Sequence, residues 1–221
     1  MDRIPEPELM EEAEQALAYA REDFSEPNAL FVERFAELAG GDFRGRILDL
    51  GCGPADIVLR LARAFPRARI DGVDGSEPML AFGREALAAA PRLGERVRLI
   101  RATLPCGELE ASAYDAVVSN SLLHHLHRPQ VLWETVRQCA RPGAAVAVMD
   151  LVRPPSAQEA DAILAAYAAG APDVLRRDFR NSLFAAFTVD EVRTQLEAAG
   201  LGGLGVERPS DRHLLVRGRL A

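Results

Sequence analysis

Between Arg46 and Asp150, short β-branched or leucine-rich runs alternate with alanine-rich stretches. The runs 46–50, 69–73, 97–101, 114–119 and 144–150 are bounded by Gly, Asp, Pro or Asn, the punctuation expected of strands. Residues 55–65, 77–90 and 130–140 read as the helices between them. The last of these stops at Arg141-Pro142-Gly143, because proline cannot continue a helix and glycine tolerates the turn. Strand alternating with helix predicts a parallel sheet with helical crossovers, an α/β fold. Two segments lie outside this repeat: an N-terminal helical pair over roughly 6–39 and a helical stretch over 156–199. The tail, 201–221, reads as two further strands around a polar turn at Pro209-Ser210-Asp211, a hairpin at the sheet edge.

Length and composition narrow the partners. The chain has 221 residues, 48% of them hydrophobic and 27% charged, as expected of one globular domain with a packed core. The expected division is a helical lid segment, 1–42, on a domain, 43–221, that carries a helical insertion at about 156–187. Against 26 Lys and Arg stand 33 Asp and Glu, a formal charge of −7, and no dense basic run could track a phosphate backbone, so nucleic acid is not an expected partner. The acidic, proline-containing start (1–14) has neither a basic leader nor an apolar stretch, and no segment is long and apolar enough to cross a bilayer, so no membrane role is expected. Cys52, Cys106 and Cys139 are odd in number and lack metal-ligand spacing; they point to a reducing cytoplasm and to no metal site.

The strongest local signal is Ile47-Leu48-Asp49-Leu50-Gly51-Cys52-Gly53-Pro54-Ala55-Asp56, an apolar strand that passes an acid and turns through two glycines into a helix. Glycines let a ligand approach the main chain, and the helix start offers free N–H donors. Asp74 follows about twenty residues on, at the end of the next strand, where an acid can grip two ribose hydroxyls. These features alone fit a nicotinamide dinucleotide or S-adenosylmethionine equally. The missing third glycine and the placement of Asp49 favour the second: a pyrophosphate would be repelled by Asp49, whereas a ligand carrying an ammonium and a sulfonium would be held. Asp49 has a plainer alternative role, capping the local turn.

The segments 47–62, 72–80, 114–129 and 140–150 together resemble the successive motifs of class I methyltransferases, over about half the chain. The resemblance implies a Rossmann-like, doubly wound sheet of seven strands, mostly parallel, with a terminal antiparallel hairpin and helical lid elements. It implies S-adenosylmethionine as cofactor and S-adenosylhomocysteine as product. Gly51 and Gly53 would pass beneath the methionine portion, Asp74 would hold the ribose, Gly75 beside it would also contact the cofactor, and Ser76 and Met79 would border the adenine. After the third strand, family members often carry an acid for the adenine amino group; here the residues are Ala102, Thr103 and Leu104, so Thr103 or backbone must serve.

Asn120 and the run Leu123-His124-His125-Leu126-His127 follow the fourth strand, beside the expected sulfur. Histidine is the side chain best suited to take a proton near neutrality. Helical geometry separates adjacent side chains by about 100°, so at most one of His124 and His125 is expected to face the donor methyl; the resemblance favours His125. Asp150, at the end of the fifth strand, completes the catalytic candidates. A histidine that only bonds backbone is the competing reading, and transfer by alignment alone needs no base. The acceptor, expected to be a small molecule presenting an O, N or C nucleophile, would be selected by Tyr19, Phe24, Asn28, Arg153, Phe179, Arg180 and Asn181 in the segments extra to the sheet. Two other readings stay open: different S-adenosylmethionine chemistry on the same fold, and a non-catalytic cofactor-binding module.

Overall fold

The computed structural model describes residues 1–221, the side chain of Ala13 apart. One seven-stranded sheet organises it, in the order β3-β2-β1-β4-β5-β7-β6. The strands are β1 (Arg46–Leu50), β2 (Arg69–Asp74), β3 (Val97–Arg101), β4 (Tyr114–Asn120), β5 (Ala140–Leu151), β6 (Gly205–Glu207) and β7 (His213–Arg219). β1 to β5 pair in parallel, and β7 runs antiparallel to both β5 and β6. The order reverses at β1 and β4, and the crevice at their carboxyl ends is where ligands bind in open α/β sheets.

Alternation along each strand supplies both faces. Ile47, Ala116, Val118, Ala145 and Ala147 pack beneath α2 (Ser25–Ala39) and α3 (Asp56–Ala64) with Phe31, Phe35, Val58 and Leu61. Leu48, Leu50, Val117, Val146 and Val148 face the other layer, around Trp133 of α6 (Gln130–Cys139) and Val192 and Leu196 of α9 (Val189–Ala198). The same period puts Asp49 on the face of Ile47, one step from the open end of β1.

Several boundaries differ from the sequence expectation. α6 ends at Cys139, and β5 begins at Ala140 because Tyr114 pairs with Ala140 before a register shift to Ala116 with Ala145 absorbs the Arg141-Pro142-Gly143 turn. Ala55 caps α3 from the left-handed region (φ 67°). α4 (Glu77–Ala88) ends before a separate single turn, α5 (Pro91–Gly94). The N-terminal pair is α1 (Ala13–Arg21) and α2, so residues 1–12 form an extended strap. The stretch after β5 divides into α7 (Ala157–Tyr167), α8 (Asp173–Ala185) and α9. Among the described residues, no helix is long and apolar enough to cross a membrane.

Candidate functional site

Above β1 and β4 lies a cavity of about 560 Å³, the size of a small-molecule site. Its floor is the glycine turn. Gly51 N and Cys52 N donate to Val73 O at 2.8 and 2.9 Å, and Gly53 N donates to Asp74 Oδ2 at 2.8 Å, so the turn is fastened to the end of β2. Gly51 has φ +73°, and a Cβ there would lie 2.9 Å from Leu122, so only glycine meets both demands. Cys52 is buried, packing against Gly72 as the Val58 side chain does.

Asp74 is held from both sides, its Oδ1 accepting Ser76 N at 2.8 Å. Burial lifts its carboxyl above the usual range, with the Ser76 and Gly53 N–H groups pulling the other way. Ser76 caps α4 by accepting Met79 N and donates its hydroxyl to Met10 O at 2.6 Å. Asp49 differs: it is 1% exposed, and neither carboxylate oxygen has a hydrogen-bond partner. Burial, then the neighbouring Asp74 charge, raises its pKa well above the ordinary range. Asn120, at the end of β4, donates to Asn28 Oδ1 at 3.2 Å, and its own Oδ1 is also buried without a donor. Asn28 in turn donates to Asp56 at 2.6 Å, which ties α2 to the start of α3.

Three buried acceptors lacking donors line one cavity, and such groups are costly unless a ligand supplies the missing hydrogen bonds. A ligand bearing an ammonium and a positive sulfur fits these residues; a pyrophosphate does not. The plainer role for Asp49, capping its turn, is not what the structure shows, since it makes no bond to that turn. All eleven positions expected to contact the cofactor, from Asp49 and Gly51 to Leu104 and Asn120, line the cavity. No acid follows β3; Thr103 lines the cavity there.

The far wall carries the histidines. Both His124 and His125 line the cavity, their rings stacked 4.2 Å apart, so a 3-10 turn brings together two side chains expected to diverge. His124 is buried, its Nδ1 2.5 Å from Asp150 Oδ1. Burial opposes its charge most strongly, but the Asp150 carboxylate, with Glu6, holds the imidazole above its usual pKa. Asp150 lies behind His124 and off the cavity wall; burial works against its charge, and His124 keeps it ionised below the usual range. His125, which the resemblance favoured, sits closer to the strap, with burial and then His124 depressing it to about 3.

Of the residues expected to select the acceptor, Tyr19, Phe24, Asn28 and Phe179 line the cavity. Tyr19 lies 4.7 Å from Phe24, ring to ring, and burial pushes its phenol up to about 12. The other three lie elsewhere. Arg153 turns away to Ala186 O at 3.1 Å and Glu191 at 2.6 Å, Arg180 pairs with Asp161 at 2.9 Å over the Phe184 ring, and Asn181 is exposed. Their places are taken by Leu175, Asp178 and Ser182, on the same face of α8 as Phe179, and by Arg212 and His213 at the start of β7. His213 accepts or donates to Ser210 Oγ at 2.8 Å, and burial, then Arg212, lowers it to about 4.

The strap closes this end. Arg3 Nη2 donates to the carbonyls of His124 and Leu126 at 2.8 and 3.1 Å, Arg3 Nε donates to Ala185 O, and the guanidinium lies 4.0 Å over the Phe187 ring. Ile4 N reaches Phe184 O at 3.0 Å. Hydrogen bonds from a charged group contribute about 1.5–3 kcal/mol. Arg3→Ala is therefore expected to speed exchange of the hydrogen-bonded Ile4 amide by about thirtyfold (about 2 kcal/mol) while the sheet amides hardly change; equal exchange in the two proteins would show that Arg3 does not hold the strap.

Comparison with known proteins agrees with this geometry. A family model described as a methyltransferase domain matches residues 48–146. An uncharacterized methyltransferase of Mycobacterium bovis is 33% identical over 108 residues, 49% of this chain and 51% of that one. The ubiquinone/menaquinone biosynthesis C-methyltransferase of Syntrophotalea carbinolica is 32% identical over 128 residues, 57% of this chain and 50% of that one. The chain spans about half the length of these curated relatives. A crystal structure of an S-adenosylmethionine-dependent methyltransferase from Aquifex aeolicus shares the fold with a TM-score of 0.68 at 16% identity, covering 94% of this chain and 98% of the other. With the strand order and the glycine turn fastened to Asp74, these likenesses show that residues 48–146 are similar to a methyltransferase domain and that the chain has the fold of S-adenosylmethionine-dependent methyltransferases.

Proposed function

We propose that the protein transfers the methyl group of S-adenosylmethionine to an O, N or C nucleophile of a small-molecule acceptor held in the same cavity. The observation that carries this reading is the set of donor-less buried acceptors, Asp49 Oδ1 and Oδ2 with Asn120 Oδ1, beside the glycine turn. When bound, the cofactor supplies an activated methyl group on a positive sulfur. Asp49 and Asn120 take its ammonium, Asp74 its ribose, and Ser76, Met79 and the backbone of 102–104 enclose its adenine. Tyr19, Phe24 and Phe179 give the acceptor an apolar wall that excludes water and aligns the nucleophile. His124 and His125 stand where the acceptor's proton must be displaced, with Asp150 fixing the orientation of His124.

A small acceptor fits the enclosure by strap, α1 and α8, and it agrees with the ubiquinone/menaquinone biosynthesis role named for one relative. The three unpaired thiols suit a reducing cytoplasm. Calorimetric titration with S-adenosylmethionine, S-adenosylhomocysteine and NADH is the test. Binding of the first two without the third is expected, followed by acceptor-dependent formation of S-adenosylhomocysteine. Binding of NADH alone would overturn the reading, and cofactor binding without turnover across a broad acceptor panel would favour a non-catalytic module.

A further inference from the structure

Tightly clustered histidines in one short turn do not make a metal site without a carboxylate from elsewhere, and the fold brings one from the strap. Glu6 Oε1 lies 3.4 Å from His124 Nε2 and 3.2 Å from His125 Nδ1. The three atoms lie within 4.8 Å of one another. A tetrahedral ion with bonds of about 2.0–2.1 Å sets its ligand atoms about 3.3–3.4 Å apart, so the carboxylate oxygen already stands at the spacing of a fellow ligand from both nitrogens. Ser182 Oγ donates to the same oxygen at 2.9 Å, and Asp150 occupies His124 Nδ1. A carboxylate on the far nitrogen is the usual second support of a ligating histidine, since it fixes the tautomer and leaves Nε2 free to bind.

We propose that Glu6, His124 and His125 form a site for one divalent first-row transition ion, of which zinc is the best match to two imidazoles and a carboxylate. Three protein ligands leave a position open, and both histidines line the cavity, so that position is offered to the acceptor. A hydroxyl bound there loses its proton to solvent near neutral pH, which removes the need for a free imidazole base. The ion site rests on geometry alone; its use in transfer rests on the methyltransferase reading.

The test uses the full-length protein stripped with a chelator and titrated with Zn²⁺, and with Co²⁺ as an optical reporter. One ion per chain is expected, with Co²⁺ giving the visible absorption of a low-coordinate nitrogen and oxygen site. Glu6→Gln and His125→Ala should each weaken binding at least a hundredfold, Asp150→Asn about ten- to a hundredfold, and Glu11→Gln, at an exposed strap position outside the trio, not at all. S-adenosylhomocysteine affinity, measured in parallel, reports an intact fold and tests the cofactor assignment separately. Absence of ion binding to the unmutated chain, or binding that survives both Glu6→Gln and His125→Ala, would overturn the proposal.

Discussion

Asp49→Asn is expected to make the ligand-free protein more stable and to weaken S-adenosylmethionine binding about a hundredfold or more. Asp49 is buried, and neither carboxylate oxygen has a partner, so nothing in the ligand-free protein would compensate a charge there. Burial and Asp74 raise its folded pKa above the ordinary carboxylate value. For an acid raised in this way, the folded state is favoured at pH below the unfolded pKa, and that advantage is lost as the pH climbs from there towards the folded value. At neutral pH the carboxylate therefore lowers stability, and the neutral amide is expected to restore about 1–3 kcal/mol. Thermal unfolding without ligand should show the variant melting higher at pH 7, with the difference narrowing as pH falls towards 4.

The cost appears in binding. Truncating one partner of a buried charge pair removes about 2–5 kcal/mol, and here the lost partner is the one proposed to receive the cofactor's ammonium. Binding a cation also draws the Asp49 pKa down, so the unmutated protein should release a proton to buffer on binding and the variant should not. Calorimetry in two buffers of different ionisation enthalpy measures this directly. A variant that melts lower without ligand would show that Asp49 supports the fold, not the ligand.

The parts of the site legible in the sequence are those set by local rules. The Gly51–Gly53 turn needs left-handed backbone, strand periodicity fixes Asp49, and Asp74 stands at a strand end; each is written within a few residues. The acceptor side was read less well, because its residues depend on phase and topology. Along α8, Leu175, Asp178, Phe179 and Ser182 form one helical stripe on the cavity, so Arg180 and Asn181 must point elsewhere. That stripe was present in the spacing. His213 reaches the cavity because an antiparallel strand begins where its parallel neighbours end, and β7 sets His213 opposite Leu151. A terminal hairpin thus predicts a site residue at the first position of its inner strand. The strap carries no periodic signal, and its contacts from Glu6 to His124 and His125 join segments far apart along the chain, which no local pattern encodes.

Asp74→Ala is expected to lower cofactor affinity by two to three orders of magnitude, and the reason can be separated from general damage to the turn. The carboxylate has two tasks: it accepts Gly53 N and Ser76 N, and it presents its remaining lone pairs to the cavity. Losing the first loosens the glycine turn and the start of α4; losing the second would remove the two proposed charge-assisted ribose bonds, of about 1.5–3 kcal/mol each. A two-by-two comparison distinguishes them: the unmutated protein and Asp74→Ala, each titrated with S-adenosylhomocysteine and with its 2′-deoxy analogue. If Asp74 holds the ribose, the unmutated chain prefers the hydroxylated ligand at least tenfold and the variant shows no preference, so the coupling between residue and hydroxyl accounts for the difference. If both proteins discriminate equally, the carboxylate acts only through the turn, and the ribose is held by another group.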